Sequence, residues 1–144
     1  MDLPRYHRLR ASFYRLEATR CAACQAVHFP PRACCHLCGG GTLEPFRLSG
    51  RGRVVSLTRV YQPARGFRDL AGEATALIEL REGLRLIAQL TDVDAEEVRP
   101  GLEVEMVVRR LRADVEQGML VYGYKFRPVL GGPRPQEGQR YIKT

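Results

Sequence analysis

All five cysteines of this chain fall within eighteen residues, in the stretch CAACQAVHFPPRACCHLC from Cys21 to Cys38. Two residues lie between Cys21 and Cys24, and two between Cys35 and Cys38, and ten residues separate the pairs. A two-residue gap lets the backbone curl until both thiolates meet one ion at about 2.3 Å, with their sulfurs accepting N–H bonds of the turn. Two matched pairs at this spacing read as a zinc ribbon, with iron the chief competitor for a four-thiolate site. Four sulfurs close the coordination sphere, so such a zinc is structural and leaves no position for a water nucleophile. A redox-active CxxC or thiols used as apolar filler are the alternatives. Gly39 suits a knuckle that needs positive φ, and Pro30-Pro31 stiffens the link between the pairs. Cys34 breaks the symmetry of the knuckles and reads as a buried filler thiol. His28 and His36 are of a type able to replace a cysteine ligand, but read as surface residues.

The surrounding composition limits what this object can serve. The chain has 144 residues, 44% hydrophobic and 27% charged, which suits one domain or a domain with a small appendage. No apolar run reaches the length of about 20 residues that a bilayer crossing needs. The opening MDLPRYHRLR lacks an apolar signal segment, so a cytoplasmic, reducing setting is expected, where clustered cysteines bind metal more often than they form disulfides. The formal charge is +7, carried almost wholly by arginine, with Lys125 and Lys143 the only lysines. Arginine favours phosphate-bearing partners, although genome-wide codon bias explains the usage equally well.

The elements that must position the cysteines divide the chain into four parts. Residues 1–15 carry a short helix with Tyr6, Leu9 and Phe13 on one face. Residues 16–47 hold the ribbon, with strand-like YRLEATR and TLEPFRL on either side. Residues 48–128 contain five β-rich runs, GRVVSLTRVYQ, ATALIEL, LRLIAQL, LEVEMVVRRLR and MLVYGYKF, with a short helical turn expected at DAEEVRPG. The fold class is therefore mainly β: an N-terminal helix and a rubredoxin-like zinc ribbon before a five-stranded OB-fold barrel. An open sandwich and an SH3-like barrel are its rivals. In the third run Leu84, Leu86, Ala88 and Leu90 point inward and Arg85 and Gln89 outward. Residues 129–144, rich in Gly and Pro, read as an extended tail.

The order helix, four-cysteine ribbon, barrel resembles a family of bacterial and archaeal zinc-ribbon/OB-fold proteins, long catalogued as a domain of unknown function and associated with acyl-CoA enzymes. The likeness is carried by YRLEATRCAACQAVHFPPRACCHLCG, with the Phe29-Pro30-Pro31-Arg32 link, then by GRVVSLTRV, Gly66-Phe67, LIELREGLRLIAQL and YGYKFRP. Cys34 stands where the family has an aliphatic residue, His36 where it often has proline, and RDLAGEA where a Pro-Tyr pair is common. The resemblance implies an accessory subunit that forms a hetero-oligomer with a thiolase-superfamily enzyme and helps seat a CoA-linked acyl substrate. The catalytic groups would then belong to the partner.

Coenzyme A joins phosphates to a flexible apolar arm, so its site wants arginines beside an apolar slot. Arg65, Phe67 and Arg68 offer that mixture in YQPARGFRDL, and Lys125 and Arg127 are expected nearby if the barrel closes. A single-stranded nucleic-acid binder is the alternative, but it needs aromatic platforms. ATALIEL and LRLIAQL have none, while Tyr122, Tyr124 and Phe126 share a face of the last run. A stand-alone enzyme ranks last. His7, His28 and His36 all precede the barrel, HExxH, GxSxG, P-loop and GxGxxG motifs are missing, and Asp69, Glu73 and Glu79 read as solvated carboxylates.

Overall fold

The computed structural model describes residues 3–62, 73–114 and 119–131. Helices α1 (Leu3–Arg8) and α2 (Arg10–Arg15) replace the single helix expected, meeting at Leu9. The Leu9 N–H still bonds the Arg5 carbonyl at 3.0 Å, so the break is a bend, and the Tyr6 and Phe13 rings stack with centroids 5.4 Å apart. Leu16 then turns left-handed at φ 50° and is buried. That conformation is unusual for a side chain with a Cβ, and it redirects the chain into the first strand.

The ribbon strands are β1 (Glu17–Cys21), β2 (Val27–His28) and β3 (Leu43–Arg47), ordered β2-β1-β3 and antiparallel. The barrel follows with β4 (Arg51–Arg59), β5 (Ala74–Leu80), β6 (Arg85–Gln89), β7 (Glu103–Asp114) and β8 (Met119–Pro128), ordered β6-β5-β4-β7-β8. A parallel bridge between Leu90 and Phe126, with the Thr91 N–H bonded to the Phe126 carbonyl at 2.8 Å, brings the two ends of the sheet together. This is a mainly β chain with a nearly closed five-stranded barrel.

Alternation decides what faces inward. In β5, Ala74, Ala76, Ile78 and Leu80 are buried, and across β6 Leu86, Ala88 and Leu90 join them, with Arg85 exposed as expected. One apolar cluster spans ribbon and barrel: Leu16, Ala18 and Leu48 belong to it with Val54, Ile78 and Phe126, while Val27, Phe29 and Phe46 pack against it. Phe29 meets Tyr124 edge to face at 5.8 Å, so an aromatic pair fastens the loop between the knuckles to the last strand. The expected helical turn at DAEEVRPG is a simple turn closed by Glu97 N–H on the Asp94 carbonyl at 2.9 Å. Pro100 and Gly101 after so short a segment leave no room for a helix.

Gly52 lies where β4 passes between β5 and β7, and a Cβ there would stand 2.4 Å from the Glu79 carbonyl oxygen. Backbone cannot yield as a side-chain tip does, so only glycine lets the strands approach this closely. Just beyond, the register of β4 shifts between Val54 and Ser56, a bulge that bends the strand into the barrel.

Outside, Glu79 sits between two arginines, accepting from Arg53 at 2.6 Å and from Arg85 at 3.1 Å. It is therefore not the solvated carboxylate expected. Hydrogen bonds from Arg53 and then Arg85 hold its carboxyl below the ordinary value of 4.5. Because folding depresses this pKa, its contribution to stability is complete above about pH 4.5 and is lost as the pH falls through the lower folded value. Glu79→Gln is expected to remove that part of the acid-induced loss, which urea unfolding across the acid range would detect.

Candidate metal centre

The cysteine segment folds as two copies of one turn. In the first, the Gln25 N–H bonds the Cys21 carbonyl at 2.9 Å and the Cys21 N–H bonds the Ala26 carbonyl at 2.9 Å. In the second, Gly39 bonds Cys35 and Cys35 bonds Gly40, both at 2.9 Å. The fifth residue of each copy is left-handed, Gln25 at φ 59° and Gly39 at φ 72°. Gly39 meets the expectation of positive φ. Gln25 does the same work without being glycine, helped by its Nε2 donating to the Ala22 carbonyl at 3.1 Å. Sequence reasoning saw the glycine and had no signal for the glutamine.

These turns aim four sulfurs at one point. The Sγ atoms of Cys21, Cys24, Cys35 and Cys38 all lie within 4.8 Å of one another. Cys21 and Cys38 are 3.5 Å apart, as are Cys24 and Cys35, so close pairs bridge the two knuckles. A tetrahedral zinc with sulfurs at about 2.3 Å sets them about 3.8 Å apart, so the cluster fits that ion with little adjustment. The first cysteine of each knuckle is buried and the second exposed. A Cβ on Gly40 would come within 3.3 Å of Cys38 Sγ and 3.7 Å of Cys21 Sγ, so the chain closes tightly over the sulfurs.

The electrostatics of the cluster also call for a cation. Cys35 is pulled down to about 5, first by the Cys38 N–H, then Leu37 N–H, with the His28 ring and Cys24 thiol adding to it against burial. Cys21 is lowered, chiefly by the Cys24 N–H. For Cys24 the Ala26 N–H is the largest influence and lowers the value, but the sulfurs of Cys35, Cys38 and Cys21 together with burial overcome it and push the thiol up to about 12. Four sulfurs this close cannot all carry charge unaided. A divalent ion at their centre removes the conflict.

Two expectations are corrected. Cys34 is exposed, not a buried filler. It precedes Cys35, whose sulfur joins the buried side of the cluster. His28 is not a surface residue: it is 3% exposed, with Nε2 3.3 Å from Cys35 Sγ. Its burial depends on β2 pairing with β1, where His28 lies opposite Thr19, a contact that local spacing cannot reveal. His36 is exposed, as expected, with its ring 4.7 Å from that of His28.

Of the residues expected near a CoA-linked substrate, Arg65, Phe67 and Arg68 lie outside the described residues. Lys125 is buried on β8 and pairs with Glu73 Oε2 at 2.9 Å, beside the end of the 63–72 segment. The Val60 N–H bonds the Glu73 carbonyl at 3.2 Å. Arg127 pairs with Glu105 at 3.0 Å. Any phosphate reaching Lys125 or Arg127 must therefore compete with a carboxylate already in place. Tyr122, Tyr124 and Phe126 grade from exposed to half-buried to buried, and Tyr124 and Phe126 meet edge to face at 6.4 Å. Tyr124 and Phe126 thus pack inward, while Tyr122 stays exposed. Among the described residues, no helix is long and apolar enough to cross a membrane.

Residues 14–44 match the family described as the ChsH2 rubredoxin-like zinc ribbon domain, and residues 47–109 match the ChsH2 C-terminal OB-fold domain. A DUF35 domain-containing scaffold protein of Pyrococcus furiosus is 42% identical over 90% of this chain and 95% of its own length. The benzoylsuccinyl-CoA thiolase subunit BbsA of Thauera aromatica is 32% identical over 79% of this chain and 76% of its own. A solved structure described as an Ltp2-ChsH2(DUF35) aldolase superposes with a TM-score of 0.65 at 29% identity, covering 86% of this chain and 89% of that one. The ribbon with four converging cysteines, the barrel that follows it and these likenesses over most of the chain agree: the protein belongs to the DUF35 family, built from a rubredoxin-like zinc ribbon and an OB-fold domain.

Proposed function

We propose that this chain is a non-catalytic subunit of a thiolase-superfamily enzyme complex acting on CoA-linked acyl substrates. Cys21, Cys24, Cys35 and Cys38 hold one structural zinc that keeps the ribbon folded against the barrel. The observation that carries this reading is the likeness, over most of the chain, to proteins named as a scaffold and as a CoA-thiolase subunit. The aldolase structure points the same way, because it is described as an Ltp2-ChsH2(DUF35) aldolase, a DUF35 chain beside an enzyme.

The segment 63–72 is the part proposed to reach the substrate. Arg65 and Arg68 would meet the phosphates of coenzyme A, and Phe67 would lie along its apolar arm. Lys125 and Arg127 would add positive charge from β8, where Lys125 pairs with Glu73 and Arg127 with Glu105. The nucleic-acid reading lacks support of this kind, since Tyr124 and Phe126 of β8 are used for packing.

Steady-state assay of a thiolase-superfamily enzyme from the same genome, with and without this chain, tests the proposal. Activity that needs the chain supports it, and equal rates without it contradict it. Within the complex, Arg65→Ala or Arg68→Ala is expected to raise KM for the CoA ester about 5- to 30-fold with kcat nearly unchanged. A phosphate remote from the reacting carbon is held equally in ground and transition states, at about 1 to 2 kcal/mol per contact.

A further inference from the structure

We infer that His28 is a positioning residue of the sulfur centre: its ring donates Nε2–H to Cys35 Sγ, fixing that sulfur and sharing its charge. This rests on the reading of Cys21, Cys24, Cys35 and Cys38 as one zinc centre.

The geometry comes first. His28 is 3% exposed and Cys35 2%, and their Nε2 and Sγ atoms are 3.3 Å apart, within hydrogen-bonding distance for sulfur. Strand pairing holds the ring there, with His28 opposite Thr19 on β1, and the edge contact with His36 restricts its tilt. A zinc-bound thiolate has lone pairs and no proton, so it can only accept. The nitrogen facing it must therefore carry the hydrogen, since two opposed lone pairs at this distance would repel. A buried imidazole also needs a partner for its polar atoms, and a phenyl ring would fill the same space without that need.

The contact breaks the symmetry of the two knuckles. Backbone N–H groups of the local turn lower the thiol of each buried cysteine, those of Cys24 and Ala23 acting on Cys21 and those of Cys38 and Leu37 on Cys35. Cys35 alone of these two gains a ring N–H as well, and it comes from β2, outside the turn that carries Cys35. Partners just outside a metal's ligands that orient a ligand and offset its charge are typically worth about 10- to 100-fold in metal affinity. His28 is such a partner, with the ligand and donor roles reversed from the usual metal-bound histidine.

The test uses the full chain with zinc and cobalt as probes. His28→Phe is expected to lower zinc affinity about 10- to 100-fold in competition with a chromophoric chelator and to shift the sulfur-to-cobalt charge-transfer bands. His28→Gln, whose Nε2 can place an N–H in nearly the same position, should recover most of both. Histidine nitrogen spectra of the zinc-loaded wild type should show a protonated His28 Nε2 shielded from exchange, a readout that needs no variant. Affinity unchanged in His28→Phe, equal losses in both variants, an unprotonated Nε2, or a cobalt spectrum of three sulfurs and one nitrogen would each overturn the inference. Wild-type protein without zinc by elemental analysis would instead sink the reading of the metal centre itself.

Discussion

Cys21→Ser or Cys38→Ser is expected to leave the protein without zinc and with its ribbon unfolded, while Cys34→Ala keeps the metal. A serine hydroxyl is a far poorer zinc ligand than a thiolate, and the binding energy of a structural zinc, about 10 to 16 kcal/mol in small fingers, is also folding energy. The loss should not stop at the ribbon. Leu16 and Ala18 share one core with the barrel, and Phe29 and Phe46 pack on it. A barrel stripped of these contacts should melt earlier even though its own sequence is intact. Elemental analysis reports the metal, and thermal unfolding followed by circular dichroism reports the spread of the damage. The Cys34 side chain is exposed and lies outside the four-sulfur cluster, so its replacement should leave both measurements close to wild type.

The second large effect belongs to Phe126. It is fully buried, it closes the barrel through its carbonyl on the Thr91 N–H, and it meets Tyr124 edge to face. Phe126→Ala is expected to cost about 3 to 5 kcal/mol through lost transfer energy and the cavity left behind. That is a large share of the roughly 5 to 15 kcal/mol by which domains are stable, so a fall in Tm on the order of 10 °C should follow. Phe126→Leu, which keeps most of the volume, should cost less than half as much. An alanine variant as stable as wild type would mean that the Phe126 ring does not fill the core.

The parts of the molecule that the chain states openly are those with local causes. A CxxC turn needs four residues and no distant contact, so both knuckles and the positive φ of Gly39 are readable. Period-two alternation likewise exposes the buried face of β5 and β6 from Ala74 to Leu90. What escapes is set by contacts distant in sequence or by backbone that breaks its usual rules. The left-handed Leu16 and Gln25 carry no sequence mark. The buried His28 needs β2 to pair with β1, and the two arginines that claim Glu79 come from the strands on either side of it. Lys125 shows the same limit. The barrel buries it against Glu73, 52 residues away, a pairing that local sequence does not mark.

Complex formation is the most direct test of the central claim. When this chain is co-expressed with a thiolase-superfamily enzyme from the same genome and purified through a tag on either one, the account predicts a single species containing both. That species should persist through size exclusion at salt near 0.15 M, where surface charge alone is screened beyond about 8 Å, because a lasting interface buries about 1,200 Å² or more. Its activity on the CoA ester should exceed that of the enzyme alone. Two separate peaks, with the enzyme equally active in the absence of this chain, would contradict the account.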